Sequence, residues 1–157
     1  MSDEVLATVG AATMRRGFGI GTLWLLGALC AWIALTTPPA LPWQAFLLVM
    51  ACGAAWLGER MRRATQVRIE LTRDVLRDTE GETLARVDEI QAIDRGFLAF
   101  KPSNGFLVRT RTAGERTWRP GLWWRVGRRI GVGGVASAAE ARAMADILAA
   151  ILAERDG

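Results

Sequence analysis

A cluster of tryptophan and arginine side chains in the second half of the chain is the part of the sequence best suited to binding chemistry. Indole rings favour the polar interface of a bilayer, and guanidinium groups bind phosphate through two parallel hydrogen bonds. The cluster therefore predicts a surface for anionic lipid headgroups or for a partner. The alternative is that the tryptophans are core residues and the arginines form a solvated face. The candidate residues are Trp118, Arg119, Trp123, Trp124, Arg125, Arg128 and Arg129.

The charges around this cluster are unevenly distributed. Residues 67–94 contain four Arg and eight acidic residues, whereas residues 101–129 contain eight basic residues and one acid. A basic residue close to an anionic leaflet contributes about 1 kcal/mol of attraction. The acidic first half argues against nucleic acid as the partner of the basic half.

The residue types needed for catalysis are scarce, so the sequence predicts a protein that is not an enzyme. The chain has no His, which removes the usual general base near neutral pH. The best carboxylate pair, Asp88 and Glu89, is adjacent in sequence, so the two side chains should point apart. The glycines at residues 131–134 lack the Lys and Ser/Thr of a phosphate-binding loop and predict a bend or a close-packed turn.

Neither a metal site nor a cofactor is predicted. The two cysteines, Cys30 and Cys52, lie in separate apolar stretches without a CxxC spacing. We expect them to be buried free thiols that behave as small apolar side chains.

Residues 17–58 contain no Asp, Glu, Lys or Arg and are divided by prolines at residues 38 and 39. They predict a transmembrane helical hairpin with spans at about residues 18–36 and 41–57, because a helix of about 20 residues crosses the hydrocarbon core. The second span is short, and its alternative is a buried helix of a soluble protein. A cleaved signal peptide is disfavoured for the first span by its length and by the lack of a small-x-small site.

The basic residues next to the spans predict the orientation of the hairpin. Arg15 and Arg16 precede the first span, and Arg60, Arg62 and Arg63 follow the second, whereas the turn is uncharged. By the positive-inside rule, both termini are expected in the cytoplasm. Arg outnumbers Lys nineteen to one, which is typical of GC-rich bacteria, so the predicted location is a bacterial inner membrane.

Small residues spaced four apart predict where the spans make close helix contacts. Gly17 and Gly21 form one such pair, and Ala51 and Ala55 form another. Trp43 and Trp56 lie near the ends of the second span, as interface anchors do. The spans carry no ionisable residue, which argues against an ion or proton path.

After residue 63 the pattern changes to short segments of alternating polarity, which predict strands. Asn104 and Gly105 predict a hairpin between two of them. Ser137 and Glu140 predict a capping box at the start of an amphipathic C-terminal helix. The predicted strands cover residues 67–72, 75–77, 83–87, a segment near 90–93, 97–101, 106–111 and a strand ending at 117–118.

Three segments resemble the bacterial pleckstrin-homology-like domains found on small membrane proteins. They are the opening hairpin at residues 67–76, the apolar and acidic segment at residues 84–93, and the final strand region followed by a helix. The resemblance covers about residues 66–153. It implies a bent seven-stranded sheet or partial barrel plugged by the C-terminal helix. Residues 118–135 are longer and more aromatic than the usual link into the last strand, and no functional residue carries over.

The predicted fold class is α+β, with a transmembrane hairpin before a pleckstrin-homology-like domain. The expected divisions are a cytoplasmic N-terminal segment (residues 1–16), the hairpin (residues 17–58) and the cytoplasmic domain (residues 64–157). The expected function is a non-catalytic interaction module, an accessory or assembly subunit that binds a membrane protein or a second copy of itself. The alternative is a sensor of anionic lipid.

Overall fold

The structure, a computed structural model, describes residues 3–37, 39–95 and 103–157. It has an α+β architecture built from two long apolar helices, two antiparallel sheets and a C-terminal helix. The strand predicted at residues 97–101 lies outside the described residues.

The two long helices are α1 (Thr13–Thr36) and α2 (Leu41–Ala64), each of 24 residues. A helix of this length measures about 36 Å, more than the hydrocarbon core of a bilayer. Pro42 lies in the first turn of α2, where its missing N–H costs no hydrogen bond. Only 22% and 17% of the residues in their most apolar windows are buried. Both helices are therefore long and apolar enough to cross a membrane, and neither is packed like a soluble core helix.

Small residues allow α1 and α2 to pack closely against each other. A Cβ atom built on Gly27 of α1 would lie 3.1 Å from the carbonyl oxygen of Ala51 on α2. A Cβ atom built on Gly58 of α2 would lie 2.6 Å from the indole of Trp24 on α1. A side chain at either glycine would separate the helices or displace the indole.

The N-terminal sheet contains a strand that the sequence analysis does not predict. β1 (Ala7–Val9) precedes α1 and pairs antiparallel with β2 (Ile69–Leu71), which follows α2. Val9 is the partner of Ile69, and both side chains are fully buried. Residues 7–9 thus belong to the sheet domain, and the α1–α2 hairpin is an insertion between its first two strands. The remaining strands are β3 (Val75–Asp78) and β4 (Thr83–Arg86).

The C-terminal sheet has the order β5–β6–β7 and is antiparallel. Its first strand follows a short 3-10 helix at Val87–Glu89. Its strands are β5 (Ile90–Asp94), β6 (Phe106–Arg119) and β7 (Trp123–Val132).

The ribbon formed by β6 and β7 is sharply bent. Its register shifts twice, on either side of the Gly114–Gly127 pair, and Gly127 has a φ of 59°. Unpaired residues at such shifts bend and twist a strand. The turn after β6 consequently meets the chain that follows β7, where the N–H of Val135 donates to the carbonyl oxygen of Gly121 at 3.0 Å. A Cβ atom on Gly134 would lie 2.9 Å from that oxygen, which makes residues 133–134 a close-packed turn.

The C-terminal helix, α3 (Ala138–Asp156), completes one core with both sheets. Ser137 caps α3 and accepts a hydrogen bond from the N–H of Glu140, as predicted. The other half of the predicted capping box is wrong, because the Glu140 carboxylate accepts the N–H of Gly10 at 2.8 Å. The N–H of Ser137 donates to the Gly10 carbonyl at 2.9 Å. The start of α3 is therefore bonded to the segment that follows β1.

Candidate functional site

The two tryptophans at the start of β7 are largely withdrawn from the surface. Trp123 has 2% of its surface exposed and belongs to the hydrophobic core. Trp124 is half-buried, and its indole covers Gly131, where a Cβ atom would lie 2.4 Å from the ring. Neither indole is placed to contact a bilayer as an exposed side chain would be.

Arg125 forms hydrogen bonds within the protein and connects the two sheets. Its Nη1 donates to the carbonyl oxygen of Leu84 in β4 at 2.7 Å, and its Nε donates to that of Gly127 at 3.4 Å. Its Nη2 donates to the carbonyl oxygen of Thr112 at 3.5 Å. These carbonyl groups engage all three nitrogens of the guanidinium group, so Arg125 is less well placed than an exposed arginine to bind an external phosphate.

Arg119 is paired with the acidic turn between β3 and β4. Its Nη2 lies 2.9 Å from a carboxylate oxygen of Glu82 and 3.4 Å from one of Glu80. The hydrogen bond that Arg119 donates to the Glu82 carboxylate raises the pKa of Arg119, and partial burial opposes that rise. Its charge is thus balanced within the protein.

Arg128 and Arg129 remain exposed on β7. Arg129 lies opposite Arg109 of β6, so two like charges face each other across the ribbon. Arg128 and Arg129 share no hydrogen-bond or ion-pair partner with Arg119 or Arg125 among the described residues. The seven predicted residues therefore do not form one continuous patch.

Trp118 is the predicted residue that lies in an exposed aromatic and cationic contact. The guanidinium carbon of Arg60 lies 5.5 Å from the ring centroid of Trp118 and 5.2 Å from that of Trp56. The two indoles are 47% and 57% exposed. We call Trp56, Arg60 and Trp118 the Trp–Arg–Trp contact. It joins the end of α2 to the end of β6 through two cation–π interactions.

The sequence predicts Trp56 at a membrane interface and Arg60 among the orienting charges, but no sequence pattern connects either residue with Trp118. The contact between Trp56 and Arg60 could have been predicted from the sequence, because residues four apart lie on the same face of a helix. The contact with Trp118 depends on the fold, since Trp118 lies 58 residues after Arg60 in the chain.

A cleft of about 570 Å³ opens beside the Trp–Arg–Trp contact, between α2 and β6. We call it the junction cleft. Two of its arginines are paired, Arg63 with Glu59 at 2.8 Å and Arg119 with Glu82 at 2.9 Å. The other two have no carboxylate partner among the described residues. The residues that line the cleft include Trp56, Glu59, Arg60, Arg63, Glu82, Arg116, Trp118 and Arg119.

The predicted helix-packing residues fall into two groups. Ala51 is buried against Gly27, whereas Ala55 is exposed although its backbone nitrogen lies 3.6 Å from a Cβ atom built on Gly27. Gly17 and Gly21 do not touch α2, because a Cβ atom built on either would have no described atom of another element within 4 Å. They line a groove of about 370 Å³ together with Trp24 of α1 and Arg62 of α2.

The described residues contain no group of three or more His, Cys, Asp or Glu side chains placed to hold a metal ion. Both cysteines are free thiols, but their predicted burial is wrong, because Cys30 is half-buried and Cys52 is exposed on the surface of α2. Asp88 forms an ion pair with Arg86 at 2.9 Å.

Comparisons of the chain with protein-family models, with curated proteins and with solved structures give no match.

Proposed function

We propose that this protein is an integral protein of the bacterial inner membrane and acts as a non-catalytic interaction module, an accessory or assembly subunit of a larger membrane complex. α1 and α2 cross the membrane, and the sheet domain lies in the cytoplasm against their ends. The partner is another membrane protein or a second copy of this chain.

The arrangement of the domain supports its assignment as pleckstrin-homology-like. Four strands form one antiparallel sheet, three form the other, and α3 packs on the core that they share. This corresponds to the bent seven-stranded domain with a C-terminal helix that the resemblance implies. In this chain, the first strand would come from residues that precede the membrane hairpin.

The pairing of β1 with β2 supports the proposed topology. Two strands of one sheet must lie on the same side of a membrane, and here they flank α1 and α2. An even number of crossings between them satisfies this requirement. The basic residues at both ends of the hairpin favour the cytoplasm as that side.

The exposed glycine pair Gly17 and Gly21 carries the proposal of an interaction module. A helix surface without side chains lets a second backbone approach closely, and such contacts associate helices in lipid. The groove around the pair is bordered by Arg16 and Trp24 of α1 and by Arg62 of α2, and it has space for the side chains of another helix.

Recovery of partners in mild detergent tests this proposal. The tagged full-length protein is purified from its native membrane and associated proteins are identified by mass spectrometry. We expect a stoichiometric partner, or a dimer of this chain, that is lost in Gly21→Leu. Gly53→Leu is the matched control, because Gly53 of α2 also has open space around it. Absence of any partner or dimer, or equal recovery with both variants, would contradict the proposal.

The second candidate function is a sensor of anionic lipid at the membrane surface. The Trp–Arg–Trp contact favours it, because two exposed indoles lie beside Arg60 at the end of the second apolar helix, and Arg60 has no carboxylate partner in the described part of the chain. This lipid-binding surface differs from the one predicted from the sequence, because Trp123 is buried in the core and Arg125 forms hydrogen bonds within the protein.

A further inference from the structure

The junction cleft combines an excess of positive charge with a position at the end of an apolar helix. Its paired arginines, Arg63 and Arg119, are balanced by Glu59 and Glu82. Arg60 and Arg116 have no carboxylate partner among the described residues and leave the cleft with two unbalanced charges. An anion with one or two negative charges, such as a phosphate diester or monoester, complements them.

Arg60 also lies close to two aromatic rings. Its guanidinium carbon is 5.2 Å from the ring centroid of Trp56 and 5.5 Å from that of Trp118. A cation–π attraction is directed at the ring and uses none of the N–H donors of the guanidinium group. The two rings therefore hold the cation at the cleft while its donors stay available for bidentate hydrogen bonds to phosphate.

An exposed apolar stripe on α2 leads from the cleft towards the middle of the helix. Val49 is 70% exposed, Cys52 is exposed, and Gly53 has open space where a side chain would be. These positions share one helix face with Trp56, because they precede it by seven, four and three residues, respectively. A phospholipid has an anionic phosphate attached to apolar chains, and so matches the cleft together with the stripe.

We propose that the junction cleft binds the headgroup phosphate of an anionic phospholipid of the cytoplasmic leaflet, with Arg60 and Arg116 as its hydrogen-bond donors and the acyl chains along α2. This site rests on the proposed membrane insertion of α1 and α2. It places lipid where α2 meets β6, so an occupied cleft would strengthen the attachment of the domain to the end of the helix.

Native mass spectrometry of the full-length protein in mild detergent tests the site. The protein is titrated with phosphatidylglycerol or with phosphatidylcholine of the same acyl chains. The test variant carries Arg60→Gln and Arg116→Gln, and the matched control carries Arg128→Gln and Arg129→Gln, which removes two exposed charges from β7. We expect the natural protein and the control to prefer phosphatidylglycerol, and the test variant to bind it about 10-fold or more weakly.

Two further measurements keep the test decisive. Arg60→Lys with Arg116→Lys retains both charges and is expected to recover a preference for phosphatidylglycerol, which separates lost attraction from misfolding. Glycerol 3-phosphate at millimolar concentration is expected not to compete. Equal affinity for the two lipids, equal loss in the β7 control, or displacement by glycerol 3-phosphate would each overturn the lipid site.

The same preparations distinguish this site from the proposed interaction function. If a partner is recovered with the natural protein but phosphatidylglycerol is not preferred, the lipid site is wrong and the interaction module stands. If phosphatidylglycerol is preferred and only the cleft variant loses it, the lipid site stands even where no partner is recovered.

Discussion

Arg125 and Arg128 are three residues apart in β7 and have different surroundings. Arg125 donates to the carbonyl oxygens of Leu84, Gly127 and Thr112, whereas Arg128 is exposed. In the sequence both residues belong to one Trp–Arg cluster. The difference arises because backbone carbonyl groups from other strands lie close to the guanidinium group of Arg125 and accept its hydrogen bonds.

Replacing Arg125 tests this distinction. Arg125→Met leaves the carbonyl oxygen of Leu84 without its side-chain donor, and we expect a loss of about 1–3 kcal/mol in the free energy of unfolding. Arg128→Met is expected to change stability by less than about 0.5 kcal/mol, as exposed substitutions do. Urea unfolding of the detergent-solubilised protein, followed by tryptophan fluorescence, measures both. A similar effect of the two substitutions would mean that the Arg125 hydrogen bonds contribute nothing to stability.

At the scale of elements, β1 is short and its contacts are distant in sequence. It pairs with β2, and the segment after it bonds to Ser137 and Glu140 at the start of α3. A fragment that begins at residue 63 would therefore lack one edge of the N-terminal sheet. It would expose the unpaired backbone groups of β2, which favours aggregation.

Truncating Val9 tests the contribution of β1. Val9→Ala removes two methyl groups from a fully buried position, so we expect a loss of about 1.5–3 kcal/mol in the free energy of unfolding. Thr8→Ala is the control in the same strand, because Thr8 is partly exposed on the opposite face. Thermal unfolding in detergent compares the two variants. An unchanged midpoint for Val9→Ala would show that β1 does not stabilise the domain.

The contact between α1 and α2 makes a second prediction at this scale. Gly27→Leu places a side chain against the Ala51 carbonyl and should separate the helices, lowering the thermal midpoint measured by helical circular dichroism. Gly21→Leu meets open space and should leave the midpoint unchanged or raise it, because leucine has the higher helix propensity by up to about 1 kcal/mol. If Gly21→Leu were the more damaging change, the hairpin would pack through another face.

The sequence is sufficient to predict elements whose signal is local. The uncharged apolar runs predict α1 and α2, and residue periodicity with Ser137 predicts α3. β1 has no comparable signal, because it has three residues and its partner lies beyond both helices. The bend of β6 and β7 is equally non-local. The junction cleft was missed for the same reason, since Arg60 and Trp118 come from separate elements.

For the whole molecule, the pairing of β1 with β2 determines whether the N-terminal segment and the sheet domain lie on the same side of a membrane. β1 and β2 are neighbours in one sheet, so the N-terminal segment and the domain must occupy the same compartment if both helices span. The turn near Thr37 must then face the opposite compartment. This expectation is independent of the positive-inside rule.

Labelling of single cysteines with a membrane-impermeant maleimide tests this arrangement. Cys30 and Cys52 are first replaced by Ala, and one cysteine is introduced as Asp3→Cys, Thr37→Cys or Ser103→Cys, all at exposed positions. In intact spheroplasts we expect labelling of the Thr37→Cys protein alone, and of all three after lysis. Different labelling of the Asp3→Cys and Ser103→Cys proteins would contradict the pairing of β1 with β2 across a two-helix insertion.

The insertion between β1 and β2 also sets an order of events during synthesis. Val9 and its partner Ile69 are 60 positions apart, so at typical translation rates β1 leaves the ribosome about 3–12 s before the strand that pairs with it. Both helices emerge during that interval. A chain in which one helix failed to insert would leave β1 and β2 in different compartments, and the domain could not fold. If α1 and α2 span a membrane as proposed, pairing of β1 with β2 would therefore be possible only in chains whose two helices have both been inserted.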